Sequence, residues 1–232
     1  MPEQNICAMK IIAHIRTDFP TKFGIPRQSG LVPDLRGTVV FLPEYRNPDA
    51  LRGIEGYSHL WLIWQFSEAK REGWSPTVRP PRLGGNTKMG VFATRSPYRP
   101  NPIGLSSVRL EGVERTADRG LVLHVSGADL IDGTPILDIK PYLSFTDSHP
   151  DALDGFAETR LSYGLEVDFP PHLLAQVAEA DRAPLLALLA EDPRPSYQDD
   201  PERIYGMPYG RYDVQFTVSE GGLHVCDILF PG

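Results

Sequence analysis

The sequence is poor in cysteine and contains no long apolar run, and each shortage excludes a class of protein. Its 232 residues include two cysteines, Cys7 and Cys226, near opposite ends of the chain. Two such distant cysteines suggest neither a disulfide framework nor a cysteine-based zinc site, and we expect no metal. No segment approaches the roughly eighteen consecutive apolar residues that span a bilayer, and the first ten residues do not resemble a secretory signal. We therefore expect a soluble, cytoplasmic protein without a membrane partner.

Basic residues are fewer than acidic ones overall, giving a formal net charge of −7, but the charge is unevenly distributed. Residues 1–145 hold 18 basic and 14 acidic side chains, whereas residues 146–232 hold 5 and 16. Residues 70–99 contain one acidic side chain, Glu72, and seven basic ones: Lys70, Arg71, Arg79, Arg82, Lys88, Arg95 and Arg99. This local excess suits a phosphate-binding surface, although a solvated basic loop gives the same pattern.

Short apolar stretches rich in β-formers fill the first part of the chain, separated by clusters of Pro, Gly, Asn and Asp. They lie at residues 9–16, 38–42, 57–66, 90–94, 105–113, 121–126 and 136–139. The pattern favours a sandwich or barrel, and the lack of helical patterns between the stretches argues against a nucleotide-binding βαβ arrangement. We predict a mainly β protein whose residues 1–145 form an N-terminal domain of the sandwich or barrel type.

The composition changes near residue 145, and the remainder predicts a small acidic α/β domain over residues 146–232. A short strand is expected around residues 160–167. Residues 171–191 have apolar side chains at helical spacing, and Pro184 should kink or divide that helix. Two further strand patterns, 212–218 and 223–230, flank a glycine-containing loop and predict a hairpin.

The stretch at residues 90–110 carries the first candidate site. Pro97, Pro100 and Pro102 impose an irregular backbone, from which Arg95 and Arg99 project. Two guanidinium groups on a rigid loop suit carboxylate or phosphate recognition, and a proline-rich crossover with solvated arginines is the alternative.

The stretch at residues 128–142 carries the second candidate. Asp132 and Gly133 mark a turn, with Asp129 and Asp138 on either side. Carboxylates or backbone carbonyls there could hold a ligand amine or face a sulfonium cation. Asp132 could equally be the side-chain partner of its own turn.

A third loop places Pro26, Arg27 and Gln28 between Gly24 and Gly30. An arginine and a glutamine on a glycine-flanked loop can contact a nucleotide edge or a phosphate.

Together these stretches resemble one known family. FGIPRQSGLV, YSHLWLIWQF, WSPTVRPPRLGGN, MGVFATRSPYRPNPIGLS and DLIDGTPILDIKPY follow one another as they do in the TrmO (YaeB/TsaA-like) family, over most of residues 9–145. DPRPSY, from residue 192, resembles the C-terminal domain of that family. Its members are tRNA methyltransferases built on a β-barrel.

The resemblance implies that S-adenosylmethionine donates a methyl group to N6 of the N6-threonylcarbamoyladenosine immediately 3′ of the tRNA anticodon. Family members are typically homodimers. Carried over by motif, the implied cofactor contacts are Pro26, Arg27, Gln28, Ser67, Glu68, Arg95, Leu105, Asp129, Leu130, Ile131 and Asp132. Ser67 and Glu68 occupy a position at which the residue types vary in the family.

The chemistry of this acceptor predicts further roles. Its N6 is a ureido nitrogen whose lone pair is delocalised, so the reaction needs alignment and help with deprotonation. Asp132 and His59 are candidate catalytic bases, although a histidine in an aromatic strand is more often a packed wall residue. Arg95 or Arg99 could neutralise the threonyl carboxylate or a phosphate, and Tyr98 could stack on the base.

Two other functions fit the same motifs. One is a non-catalytic S-adenosylmethionine sensor or RNA-binding module, and the other is a methyltransferase for a different acceptor. Every version requires the loops of Arg27, Arg95 and Asp132 to converge at one mouth of the barrel.

Overall fold

The computed structural model describes residues 8–68, 74–80, 87–160, 164–194, 200–219 and 222–231, with the side chains of 158–160 left aside. The predictions made for Cys7, Lys70, Arg71, Glu72 and Arg82 lie outside the described residues. Among the helices of the described part, none is long and apolar enough to cross a membrane.

Eight strands belong to the first part of the chain. They are β1 (Ala13–Thr17), β2 (Arg36–Phe41), β3 (His59–Gln65), β4 (Thr77–Val78), β5 (Met89–Gly90), β6 (Ile103–Thr116), β7 (Gly120–Ser126) and β8 (Pro135–Pro141). Six of them close into an antiparallel barrel in the order β1-β2-β7-β6-β3-β8. Register shifts at Ile63/Trp64 and Leu110/Gly112 help to curve the sheet, as β-bulges do. The predicted mainly β fold with an N-terminal barrel is confirmed.

The strands β4 and β5 form a separate two-stranded hairpin. A 3-10 turn, Val91–Ala93, follows β5, so the strand predicted over residues 90–94 is wrong beyond Gly90. Other short helical turns connect the barrel strands or lead into the second part: Pro43–Tyr45, Pro48–Leu51, Ile54–Gly56, α1 (Ser144–Asp147) and Gly155–Arg160.

The second part contains the sheet β10-β11-β12-β9 and two helices. Its elements are β9 (Glu166–Asp168), α2 (Pro171–Leu174), α3 (Glu179–Ala190), β10 (Tyr205–Tyr209), β11 (Tyr212–Ser219) and β12 (Gly222–Leu229). The antiparallel hairpin of β11 and β12 is confirmed. The helical segment is divided, but before α3 and not at Pro184, which lies inside α3. A proline six residues into a helix removes one backbone donor near its start, and α3 continues past it.

Two apolar cores lie in the described structure. One fills the barrel with inward residues such as Ile15, Leu60 and Leu62. The other packs α3 against the second sheet and also includes Phe19, Val32 and Leu35, which flank the loop of residues 22–30 between β1 and β2. The ends of that loop are therefore fixed by side chains from the second part of the chain.

Candidate functional site

A cavity of about 270 Å³, here called the first cavity, opens where β3 ends. Four separate segments line it: Lys22, Ile25 and Pro26; Trp64, Gln65, Phe66, Ser67 and Glu68; Pro97 and Tyr98; and Asp129, Leu130, Ile131 and Thr134. Six of the residues expected to contact cofactor are thus brought together, namely Pro26, Ser67, Glu68, Asp129, Leu130 and Ile131.

Asp129 is held in the wall of the first cavity by a chain of two hydrogen bonds. Ser106 Oγ donates to Asp129 Oδ1 at 2.6 Å, and Trp64 Nε1 donates to Ser106 Oγ at 2.9 Å. Because an indole nitrogen can only donate, it occupies the serine lone pair and leaves the hydroxyl proton for Asp129. Ser106 is fully buried on β6, so the carboxylate is fixed from behind while it faces the cavity.

The indole of Trp64 reaches Ser106 because the residue opposite it on β6 is Gly104. These two residues are register partners, and a Cβ added at Gly104 would lie 2.3 Å from a ring atom of Trp64. Any larger side chain at position 104 would displace the ring, so this glycine is required for the hydrogen-bond chain.

The environment of Asp129 makes its carboxyl group more basic. Burial is the largest effect and raises the pKa of Asp129, whereas the hydrogen bond from Ser106 and the charge of Arg95 act in the opposite direction. A carboxylate with a raised pKa is suited to accept a proton or to face a cation.

A second cavity, of about 680 Å³, adjoins the first and shares Lys22, Ile25, Pro26 and Tyr98 with it. Its walls also hold Arg27, Gln28 and Arg95 from the barrel loops, and the far side is formed by residues of the second part such as Leu188. Arg95 Nη1 donates to Gln28 Oε1, which ties the two predicted loops together.

The two cavities differ in charge. The first contains the carboxylates of Glu68 and Asp129 against Lys22. The second contains Lys22, Arg27 and Arg95, together with Glu191 and an Arg194–Asp192 ion pair whose Nε–Oδ1 distance is 2.9 Å. A cationic ligand therefore suits the first cavity and an anionic group suits the second.

Asp132 is placed differently from its neighbour Asp129. Its Oδ1 accepts from the backbone nitrogen of Thr17 at 3.1 Å, and its Oδ2 lies 3.3 Å from Arg16 Nη1. Its own backbone nitrogen donates to Phe19 at 2.8 Å. The side chain therefore joins the 129–134 turn to β1, a structural role different from the expected partnership within its own turn.

His59 begins β3, whereas the first cavity lies at the other end of that strand. Trp64, the first residue of β3 that lines the cavity, is five positions from His59, a span of about 17 Å. The His59 ring contacts Tyr142, and its Nδ1 lies 2.9 Å from Ser58 Oγ. This geometry favours the alternative that His59 is a packed wall residue.

Arg99 and Leu105 line neither of the two cavities. Arg99 Nη1 donates to the carbonyls of Thr94 and Ser96, so the side chain stabilises its own loop. Leu105 points outward from β6 and is 55% exposed.

Sequence reasoning missed Trp64 and Ser106. One available signal was the alternation of β6, in which Gly104, Ser106 and Val108 point inward. A serine among inward apolar residues needs a hydrogen-bond partner, and Asp129 is that partner.

Within the described ranges, no group of three or more His, Cys, Asp or Glu side chains is arranged to hold a metal ion.

Comparison with known proteins identifies both parts of the chain. The tRNA-methyltransferase O N-terminal domain matches residues 14–148, and the TrmO C-terminal domain matches residues 162–230.

Relatives and solved structures agree with these matches. The tRNA (adenine(37)-N6)-methyltransferase of Escherichia coli is 42% identical over 92% of this chain and 94% of its own length. A Pseudomonas aeruginosa protein named "Putative S-adenosylmethionine-dependent methyltransferase RcsF" is 46% identical over 88% of this chain and 90% of its own length. The crystal structure of TrmO from P. aeruginosa superposes with a TM-score of 0.81 at 36% identity and covers 100% of both chains.

Proposed function

The chain belongs to the tRNA-methyltransferase O family, and we propose that it transfers a methyl group from S-adenosylmethionine to N6 of the N6-threonylcarbamoyladenosine next to the tRNA anticodon. The observation that carries this proposal is the first cavity, in which six cofactor-contact candidates from three segments of the chain meet. The proposal includes a homodimer that acts in the cytoplasm.

The charge of the first cavity suits the cofactor. When bound, S-adenosylmethionine supplies an electrophilic methyl group on a sulfonium cation. Glu68 offers a carboxylate to the cofactor's ammonium group, and the Asp129 carboxylate lines the same cavity. Of the remaining candidate contacts, Gln28 and Asp132 hold the loops beside the cavities, Arg27 and Arg95 line the second cavity, and Leu105 lies apart from both.

The second cavity suits the acceptor. The threonylcarbamoyl group ends in a carboxylate, and Arg27 and Arg95 face this recess with guanidinium groups that bind carboxylates well. Arg99 contributes indirectly, because it stabilises the loop that carries Arg95. Tyr98 lines both cavities and offers a ring on which the base can stack.

Asp129 is the proton acceptor in this proposal, in preference to Asp132 and His59. Methyl transfer to N6 would break the bond between the methyl group and the cofactor sulfur, which would leave as a neutral thioether, and the N6 proton would pass to the Asp129 carboxylate. Ser106 and Trp64 orient that carboxylate and keep it in place. Asp132 and His59 have partners away from the cavity.

The test uses purified protein and tRNA that carries the threonylcarbamoyl group but lacks the N6-methyl group. Calorimetry should detect S-adenosylmethionine binding, and mass spectrometry of the digested tRNA should reveal one added methyl group on the threonylcarbamoyl nucleoside. Matched tRNA without the threonylcarbamoyl group is the control and should stay unmethylated.

Other outcomes distinguish the alternatives. Cofactor binding without transfer to any tRNA would identify a sensor or RNA-binding module. Methylation of the control tRNA would identify a different acceptor.

A further inference from the structure

The β4–β5 hairpin carries two aromatic side chains that the barrel does not use. Trp74 precedes β4 and Phe92 follows β5, and their ring centroids are 6.2 Å apart with an interplanar angle of 32°. Trp74 is 53% exposed and Phe92 is 72% exposed. Large aromatic side chains normally bury most of their surface, so an exposed pair on one hairpin indicates a binding surface.

The hairpin geometry holds these two rings together. Thr77 pairs with Gly90 and Val78 with Met89, and the backbone nitrogen of Val91 donates to Pro76 at 2.9 Å. These contacts fix the chain segments that carry Trp74 and Phe92, and the two rings lie side by side.

A cationic groove of about 580 Å³ lies on the same hairpin. Its lining consists of Ser75, Thr77, Val78, Arg79, Lys88, Ser96, Pro97 and Tyr98, with no acidic side chain among these described residues. Within the described part of the chain, Arg79 and Lys88 form no ion pair or side-chain hydrogen bond. Their charges are therefore available to an anionic partner.

The groove is continuous with the proposed active site, because Tyr98 lines the groove and both cavities. A nucleotide stacked on Tyr98 would have its neighbours in the groove, beside Arg79 and Lys88. Ser75 joins this groove to Trp74 along the chain.

We infer that the Trp74–Phe92 pair is a stacking platform for an unpaired base next to the target nucleotide, with Arg79 and Lys88 binding the intervening phosphates. Aromatic rings beside a basic groove are the arrangement by which proteins bind single-stranded nucleic acid without sequence preference. A partner protein would not need the two uncompensated cations. This inference rests on the proposed function, because it takes the anticodon loop as the ligand.

The test measures binding of an anticodon stem-loop RNA by fluorescence anisotropy. Trp74→Leu and Phe92→Leu keep an apolar side chain but remove the aromatic face, and each should weaken binding roughly 5- to 100-fold. Trp74→Phe and Phe92→Tyr keep a ring and should bind close to the parent level. Phe145→Leu, at an aromatic residue that is 85% exposed elsewhere, is the matched control and should have no effect.

The roles of Arg79 and Lys88 are tested by the salt dependence of RNA binding. For the double variant R79A/K88A, the slope of log affinity against log salt concentration should decrease by about 1.4, the value for two phosphates on a single strand. An RNA duplex of equal length without a loop should bind the parent and the leucine variants alike.

Three results would overturn the inference. The leucine variants could bind the stem-loop as tightly as the parent, or lose affinity equally for the duplex, or change the sedimentation coefficient, which would assign the hairpin to an interface between two copies of the chain. Failure of the proposed function is distinct, because RNA binding is measured without methyl transfer. If the protein binds RNA through Trp74 and Phe92 but methylates no tRNA, the inference about the stacking platform stands and the proposed function is rejected.

Discussion

Asp129 and Asp132 are three residues apart, yet their surroundings assign them opposite tasks. Asp129 lines the first cavity and is oriented from behind by Ser106. Asp132 accepts a hydrogen bond from the backbone of β1. A carboxylate that is both fixed and accessible can take a proton, whereas one that holds a turn together contributes to the shape of the site.

Asp129→Asn tests this difference. The amide cannot accept the proton, so we expect the single-turnover rate at saturating cofactor to fall about 100-fold or more, with little change in cofactor affinity. The parent rate should decrease as pH falls through the raised pKa of Asp129, because the protonated form is inactive, and the variant should lack this step.

Asp132→Asn is the control for that experiment, because its amide oxygen can still accept from Thr17. It should keep the pH step and most of the rate. If Asp129→Asn instead weakened cofactor binding and left the saturated rate unchanged, Asp129 would be a cofactor contact and not the base.

At the scale of elements, the antiparallel pairing of β3 with β6 determines how Asp129 is oriented. Gly104 makes room for the ring of Trp64, which leads to Ser106 and Asp129. Packing of the barrel and orientation of the Asp129 carboxylate therefore depend on the same strand pair.

Gly104→Ala should disturb both. The new methyl group would overlap the Trp64 ring, and overpacking of this kind costs about 1–3 kcal/mol of unfolding free energy. Gly112→Ala, on the same strand with open space at its Cβ, should change stability by no more than about 0.5 kcal/mol. Urea denaturation of the two variants measures the difference, and equal stabilities would show that the Trp64 ring moves aside without cost.

Secondary-structure elements are easier to predict from this sequence than the pairing between them. Alternating apolar residues located most barrel strands, because that alternation is local. The strand β10 was missed, since glycine and proline interrupt YGMPY, and it is stabilised by pairing with β11. Loops 26–28 and 129–132 were singled out from their glycine, arginine and aspartate residues, and the family resemblance then assigned them to the cofactor.

Residue roles within the site were harder to predict, for a physical reason. The Trp64–Ser106 and Ser106–Asp129 hydrogen bonds join residues 42 and 23 positions apart. Such pairings depend on strand register, which a single sequence does not specify, and Asp132 was therefore named as a candidate base whereas Asp129 was not.

At the scale of the whole molecule, acidic groups meet between the two parts of the chain. Asp18 follows β1, and Asp181 lies on α3. Asp18 keeps an exposed edge, but partial burial is the main effect that raises its pKa, and Asp181 adds to it while Arg36 opposes it.

Asp18→Asn should therefore stabilise the protein near neutral pH. Folding raises the pKa of Asp18, so the folded state binds that proton more tightly, and the unfolding free energy falls as pH rises through the raised value. The gain at pH 7 should be at most about 1 kcal/mol, because the group is partly solvated, and it should vanish below about pH 4. Urea denaturation over this pH range is the measurement, with exposed Asp151→Asn as the control; a gain independent of pH would reject charge as its origin.

The domain boundary at residue 145 stays a prediction. Residues on both sides of it share one apolar core, and this affects the order in which the two parts can fold. Phe19, Val32 and Leu35 pack with residues from 165 to 228. During synthesis on a ribosome, the barrel strands emerge long before β12 does, so the segment bearing Pro26 and Arg27 waits with its apolar anchors uncovered until translation of the second sheet is complete. A nascent chain can thus close its barrel early, but the ends of the 22–30 loop are packed only after the second sheet has been made.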